Sequence, residues 1–333
     1  MKDGTGREID YMRISITDRC NLRCKYCMPD GAPCTPGYEI LSLEEIQAAA
    51  AAAAGLGIRR VRVTGGEPLV RKGCPSLIRM LKETPGIESV TMTTNGILLE
   101  QHLDELLDAG LDGVNISLDT LDAGLYREIT GQPALESVLR IVRRAKELPI
   151  PVKINAVSID FGEMAEQAGL DCDTGWRPLA ELARQYPVDV RFIELMPIGF
   201  GRQFRTLDHR RLLEEMEKAY PGLKKDERRH GFGPAVYYRI PGFLGSVGLI
   251  SAIHGKFCSS CNRIRLTAGG YLKTCLCYED GTDLRAVLRG KEGESQKQLS
   301  EAIRQAILKK PGAHCFETPG EITESHNMIS IGG

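Results

Sequence analysis

The first two-thirds of the chain alternate short β-branched runs with segments whose apolar residues recur at helical spacing. Apolar residues three and four apart predict helices, whereas short β-branched runs bounded by polar or glycine-rich residues predict strands. Such alternation indicates right-handed βαβ units and a parallel α/β sheet, either open or barrel-like. The predicted strands are Met12–Thr17, Arg60–Thr64, Ser89–Thr93, Gly113–Leu118, Val152–Val157 and Val188–Glu194. The predicted helices include Ser42–Ala54, Gln101–Ala109, Leu135–Leu148 and Leu179–Tyr186.

This pattern changes after about Tyr220. A charged stretch, Lys224 to His230, precedes short strands, a second group of cysteines and a helix near Gln298–Lys309. A chain of 333 residues is long enough for one large domain and a smaller one. We therefore expect an α/β domain over residues 1–230 and a smaller α+β region over residues 231–333.

Composition and charge exclude several classes of protein. A net charge of −1 argues against binding to a nucleic acid polymer. No apolar run approaches the roughly 20 residues that cross a bilayer, and the N-terminus lacks the apolar core of a signal peptide. We therefore expect a cytoplasmic protein, in which closely spaced cysteines bind metal or take part in catalysis. Four of the eleven cysteines are far from any other and are interpreted as small core or surface residues: Cys34, Cys74, Cys172 and Cys315.

Three cysteines, Cys20, Cys24 and Cys27, directly follow the first predicted strand. Structural zinc normally takes four protein ligands, and no fourth Cys or His lies nearby. Iron–sulfur cubanes also usually take four cysteines, so three would leave one iron open to another molecule. The spacing thus favours a catalytic cluster, with a zinc loop as the alternative.

A second set, Cys258, Cys261 and Cys275, lies in the C-terminal region. Here a closed zinc site is the alternative, with His254 or Cys277 as the fourth ligand. Several cations occupy predicted strands or alternate positions after Cys261, where they need an anionic partner. Together they suggest a pocket for phosphates: Arg13, Arg60, Arg62, Lys153, Arg191, Arg263 and Arg265.

The first cysteine set, with Tyr26 before its last cysteine, resembles the radical S-adenosylmethionine superfamily. The segment Gly65-Gly66-Glu67-Pro68 after the second strand resembles that superfamily's GGEP segment. The resemblance implies that the open iron chelates the methionine part of S-adenosylmethionine. It also implies that an electron from the cluster cleaves this cofactor to a 5′-deoxyadenosyl radical.

A narrower resemblance, to the GTP 3′,8-cyclase family, rests on residues 13–21, on both cysteine sets, on residues 261–265 and on residues 328–333. It implies a partial (β/α)6 barrel closed by the C-terminal region, with a second [4Fe–4S] cluster that contacts guanine. The implied reaction turns GTP into 3′,8-cyclo-7,8-dihydro-GTP, the first step of molybdenum cofactor biosynthesis. An electron donor and the next enzyme of that route are the implied partners, and a homodimer is a further expectation.

The same resemblance implies a role for individual residues. Family spacing favours Cys275 over Cys277 as the last ligand of the second cluster. The implied catalytic groups are the first three cysteines with the terminal Gly332 and Gly333. The contacts to S-adenosylmethionine are Tyr26, Gly66, Ser117 and Met196. The contacts to GTP are Arg13, Arg60, Arg62, Thr93, Lys153, Arg191, Arg263 and Arg265.

Two other functions are consistent with parts of the pattern. A radical S-adenosylmethionine peptide maturase would also carry an auxiliary cluster, but it would not need cations on its strands. A zinc-stabilised binding module would explain the second cysteine set without catalysis.

Overall fold

The computed structural model describes residues 1–31, 35–290 and 295–331, and these residues form one twelve-stranded sheet. The strands are β1 (Tyr11–Ser15), β2 (Arg60–Thr64), β3 (Ser89–Thr94), β4 (Val114–Ser117), β5 (Val152–Ser158), β6 (Asp189–Glu194), β7 (Lys224–Lys225), β8 (Val236–Arg239), β9 (Ser246–Ile250), β10 (Arg263–Leu266), β11 (Tyr271–Lys273) and β12 (Thr282–Asp283). The helices are α1 (Leu43–Gly55), α2 (Cys74–Lys82), α3 (Leu99–Asp108), α4 (Ala123–Thr130), α5 (Leu135–Arg143), α6 (Gly162–Gln167), α7 (Arg177–Gln185), α8 (His209–Ala219), α9 (Leu284–Leu288) and α10 (Ser295–Leu308).

All six predicted strands are confirmed, and they pair in chain order as the parallel series β1 to β6. The five predicted helices correspond to α1, α3, α5, α7 and α10, although α5 ends at Arg143 and continues only as a 3-10 turn. At the start of α1, the Ser42 hydroxyl accepts a bond from the Glu45 amide and the Glu45 carboxylate accepts one from the Ser42 amide. This is the capping box that satisfies two orphan donors of the first turn.

The C-terminal region extends both edges of this sheet. β9 lies parallel to β6 at one edge, and β10 lies parallel to β1 at the other. Short antiparallel strands continue outward from each, so the sheet does not close on itself. Strands from both parts of the chain hydrogen-bond within the same sheet. The division into two domains at residue 231 stays a prediction.

The two faces of the sheet differ in chemistry because side chains alternate along each strand. On β1 and β2, the outward residues Met12, Ile14, Val61 and Val63 are buried in the main apolar core. Helix α1 covers this face with alanines, whose small side chains let it pack closely. The intervening positions carry polar and charged side chains toward the inside of the curved sheet. No helix in the described part of the chain is long and apolar enough to span a membrane.

A buried ion pair attaches the C-terminal segment to β11. The Lys273 ammonium lies 2.5 Å from the Glu324 carboxylate, and both side chains are almost fully buried. Although burial alone would raise the pKa of Glu324, the Lys273 ammonium contributes to keeping it below the usual value. Lys273 also donates to the carbonyls of Tyr278 and Glu279.

We predict that Glu324→Gln destabilises the protein by about 3 kcal/mol, because it leaves the buried Lys273 ammonium without a counter-charge. The measurement is the thermal unfolding midpoint of the variant against that of the parent. Glu321→Gln, at an exposed position three residues away, is the matched control. Equal midpoints for the parent and Glu324→Gln would contradict the prediction.

Candidate functional site

The first cysteine set lies at the carboxyl end of β1, where the loops of a parallel sheet converge. Cys20, Cys24 and Cys27 all line one cavity of about 360 Å³ inside the curved sheet, a size typical of small-molecule sites. The Leu22 amide lies 3.4 Å from the Cys20 sulfur, and the Asn95 side-chain amide lies 3.9 Å from it. The loop thus presents its thiols to the cavity with donors already directed at one of them.

Glu67 fixes the position of this loop. Its carboxylate is fully buried and accepts bonds from the Asn95 amide at 2.7 Å, the Thr94 hydroxyl at 2.8 Å and the Leu69 amide at 3.1 Å. Burial raises the pKa of Glu67 to about 7, despite those three donors. Asn95 in turn donates to Asn21 at 2.8 Å. The ends of β2 and β3 are therefore connected to the cysteine loop through side chains.

Gly65 and Gly66 lie against the backbone of the cysteine loop itself. The Gly66 amide donates to the Thr17 carbonyl at 2.7 Å, and the Glu67 amide donates to the Arg19 carbonyl at 2.8 Å. A Cβ at Gly66 would lie 2.3 Å from the Arg19 carbonyl oxygen, and one at Gly65 would lie 2.7 Å from that of Thr17. Glycine is required here because two backbones approach closely.

The donor set fits a soft metal centre. Burial raises the pKa of Cys20 to about 11 and that of Cys27 to about 12, so these thiols need a cationic centre in order to ionise. Within the described residues, no three Cys, His, Asp or Glu side chains are gathered tightly enough to share a single metal ion. The fit to an iron–sulfur cluster therefore rests on three soft donors that surround one cavity.

The second cysteine set lines the same cavity as the first. Cys258, Cys261 and Cys275 all contribute to its wall. Burial tends to raise the pKa of Cys261, but the nearby cations Lys310 and Arg263 bring the net shift below the usual value. The two other candidate ligands have different partners: Cys277 is buried against Cys315, and His254 directs its two ring nitrogens at Glu194 and Asp208.

The cations predicted from the strands point into the same interior. Arg13 pairs in register with Arg62 on one side and with Arg265 on the other, so the three share one face of the sheet. Arg191 and Arg263 also line the main cavity, together with Thr93. Within the described residues, the buried Nε atoms of Arg191 and Arg263 and the Thr93 hydroxyl have no hydrogen-bond partner.

Arg60 and Lys153 line a second cavity nearer the amino ends of the strands, which adjoins the first at Arg62 and Arg191. Both already have protein partners. Arg60 is paired with Asp10 and stacks on Phe232, with 3.7 Å from its guanidinium carbon to the ring centre. Lys153 lies 2.9 Å from Asp189. The structure thus separates these two residues from the cysteines but keeps them on the same continuous cationic surface.

Burial and mutual repulsion lower the pKa values of the neighbouring arginines. Burial, followed by the nearby Arg265 and Arg62, holds the pKa of Arg13 well below its usual value. The pKa of Arg265 is lowered to about 10 by burial and then by Arg263. A bound polyanion would relieve this repulsion, because each phosphate brings negative charge among the crowded guanidiniums.

The residues expected to contact S-adenosylmethionine surround the first cysteine set. Tyr26, Gly66, Ser117 and Met196 line the main cavity with it. The Tyr26 hydroxyl donates to Asp119 at 2.8 Å, and Asp119 also accepts from the Val157 amide at 2.8 Å. Gly332 and Gly333 lie outside the described residues, but Ile329 just before them lines the cavity.

Sequence reasoning missed several residues of this site. Arg7 donates to the carbonyls of Cys258, Gly312 and Pro311 at 2.7–2.9 Å, so it connects the N-terminus to the second cysteine set. Lys310 and Asp119 line the cavity. Glu67 was noted only as part of the segment Gly65–Pro68, and its support of the cavity wall was missed. Asp119 directly follows a predicted strand, and this position could have indicated its place in the site. The contacts of the other residues join positions far apart in sequence, so the sequence alone gives no signal for them.

The chain resembles known proteins along its whole length. Residues 14–163 match the Radical SAM superfamily, and residues 188–316 match the family Molybdenum Cofactor Synthesis C. A GTP 3′,8-cyclase of Clostridium perfringens is 42% identical over 100% of both chains. The chain belongs to the GTP 3′,8-cyclase family. Another member, from Moorella thermoacetica, is also 42% identical over the full length of both. As a radical SAM protein, the chain uses S-adenosylmethionine and an iron–sulfur cluster.

Solved structures show the same fold at low sequence identity. SuiB of Streptococcus suis superposes with a TM-score of 0.61 at 14% identity, covering 97% of this chain and 77% of its own. The structure of SuiB bound to S-adenosylmethionine gives a TM-score of 0.57 at 15% identity, with 98% and 78% covered. These similarities confirm the radical SAM fold that the GTP 3′,8-cyclase family implies.

We predict that Gly66→Ala lowers the iron content of the protein by up to roughly four irons, one cubane, because the new Cβ displaces the Arg19 carbonyl and with it the cysteine loop. Iron and sulfide are assayed after anaerobic reconstitution. Gly320→Ala is the control, since its Cβ would meet no atom within 4 Å. Full iron content in Gly66→Ala would show that the loop tolerates the displacement.

Proposed function

We propose that this chain converts GTP into 3′,8-cyclo-7,8-dihydro-GTP, the first step of molybdenum cofactor biosynthesis. One observation carries the proposal: a single cavity is lined by both three-cysteine sets and by strand-borne arginines. The first set is the expected place for radical generation, and the arginines suit a nucleoside triphosphate. The full-length similarity to GTP 3′,8-cyclases supports this substrate.

Two [4Fe–4S] clusters are part of this proposal. Cys20, Cys24 and Cys27 would hold the first, and Cys258, Cys261 and Cys275 the second. The first cluster, together with S-adenosylmethionine, would supply the radical chemistry, and the second would bind the guanine end of the substrate. Tyr26, Gly66, Ser117 and Met196 would position S-adenosylmethionine beside the first set.

The chain's own residues would bind and orient the nucleotide. Arg13, Arg62, Arg263 and Arg265 form neighbouring positions on three paired strands, and the main cavity joins them to both cysteine sets. Their guanidiniums would fix the triphosphate by charge-assisted bonds and so direct the base and ribose toward the cysteines. Arg60, Lys153 and Arg191 would extend this contact toward the second cavity, while Thr93 offers a hydroxyl.

An external electron donor and the next enzyme of the route complete the proposed partners. Gly332 and Gly333 are proposed to assist the radical step from the C-terminal end. A tail without side chains suits a crowded site, because no Cβ can clash there.

The main rival function is peptide modification. A solved structure of SuiB holds its precursor peptide SuiA, and its TM-score against this chain is 0.54 at 15% identity. Similarity of fold alone therefore does not separate the two functions. The arginines on the inner face favour the nucleotide, because a peptide groove has no need for several buried cations on one face of the sheet.

We predict that Arg263→Ala raises the dissociation constant for GTP about tenfold or more, because a charge-assisted bond is lost from a buried site. Binding is measured by anaerobic equilibrium dialysis of reconstituted protein. Arg304→Ala removes an exposed arginine of α10 and should leave the affinity unchanged. An unchanged GTP affinity in Arg263→Ala would favour the peptide rival.

The two cysteine sets are predicted to have separate duties. Cys24→Ala should abolish cleavage of S-adenosylmethionine, because the first cluster is lost. Cys261→Ala should retain some cleavage and lose the cyclised product. Both products are quantified by chromatography after incubation with GTP, S-adenosylmethionine and reductant. Normal cyclisation by Cys261→Ala would refute the assignment of the second set to the substrate.

A further inference from the structure

Two cysteines outside both proposed ligand sets lie in contact. The sulfur atoms of Cys277 and Cys315 are 3.1 Å apart, although 38 positions separate the residues in sequence. The Cys315 amide also donates to the Cys277 sulfur at 3.3 Å. Both are free thiols, and the proposed function uses neither. A small approach of the sulfurs would bring them to the roughly 2 Å of a disulfide bond.

The two thiols differ in access. Cys277 is fully buried, within an apolar cluster that includes Leu276 and Phe316. Cys315 is partly exposed. A reagent from solution therefore reaches Cys315 first, and Cys277 is positioned to react only with the neighbouring sulfur. This asymmetry is the arrangement expected of an attacking and a resolving thiol.

The pair joins two parts of the cavity wall. Cys277 lies in the turn after β11, two residues beyond the proposed ligand Cys275. Cys315 lies in the C-terminal segment 311–331, which contributes His314, Phe316 and Ile329 to the main cavity. A covalent bond between the two would tie that segment to the turn that carries Cys275.

We propose that Cys277 and Cys315 form a redox pair that closes to a disulfide on reaction with a low-molecular-weight disulfide. The Cys315 thiolate attacks one sulfur of that reagent, forms a mixed disulfide and releases one thiol. The Cys277 sulfur then attacks Cys315 and releases the second thiol. Two electrons and two protons thus pass from the protein to the reagent, and a reducing thiol reverses both steps. In a reducing compartment the dithiol form prevails.

The test uses the anaerobically reconstituted full-length protein and oxidised glutathione. After treatment, free thiols are alkylated under denaturing conditions and peptides are mapped by mass spectrometry without reduction. We expect a linked Cys277–Cys315 peptide pair in the parent, removed by reductant. We expect one retained glutathione on Cys315 in Cys277→Ser, and neither product in Cys315→Ser.

The matched control is Cys172→Ser, which removes a partly buried cysteine that belongs to neither set and should leave the linked pair intact. Iron content is followed in every sample and should not fall as the pair forms, because neither thiol is a proposed ligand. Alkylation of both Cys277 and Cys315 after treatment would overturn the proposal. A link from either residue to Cys275 instead would overturn it as well. Neither the peptide map nor the iron content depends on whether GTP is the substrate.

Discussion

The direction of two consecutive strands determines the architecture of this site. β9 and β10 run parallel to the six central strands, yet they lie at opposite edges of the sheet. The chain leaves β9 at the carboxyl end of the sheet and must enter β10 at the amino end. Residues 251–262 therefore connect the two ends of the sheet, and Cys258 and Cys261 within them line the cavity. Glu194 holds the start of this segment by accepting the amides of Ile253 and His254.

The second constraint is electrostatic. A chain with a net charge of −1 concentrates buried guanidiniums on one face of its sheet, because the two-residue period sends every second side chain inward. These cations lower each other's pKa values. Within the described residues, the buried Nε atoms of Arg191 and Arg263 have no hydrogen-bond partner. Binding a polyphosphate would convert this unfavourable arrangement into charge-assisted bonds. The free energy of that relief favours polyanions over neutral ligands of the same shape.

Local sequence was sufficient for the six central strands and for the sites that depend on short spacing. Strands β1 to β6 were predicted to within two residues of their ends, because each combines β-branched residues with flanking glycines or polar residues. The alternate positions of Arg263 and Arg265 also indicated that they share one face of a strand, and both line the main cavity. Cys315 was interpreted as an isolated residue, whereas it contacts Cys277. Arg7, Lys310 and the hydrogen bonds of Glu67 were missed for the same reason: their partners are brought near only by the tertiary fold.

The fold and the substrate are specified by different parts of this molecule. SuiB shares the architecture at 14% identity, so the sheet and its loops can be built from very different sequences. The parallel sheet brings the carboxyl ends of its strands together. There, Glu67 and Asn95 connect neighbouring strand ends to the cysteine loop. The side chains of the inner face alternate with the core positions, so they can change without disturbing the packing. A row of arginines on that face therefore says more about the ligand than the fold that carries it.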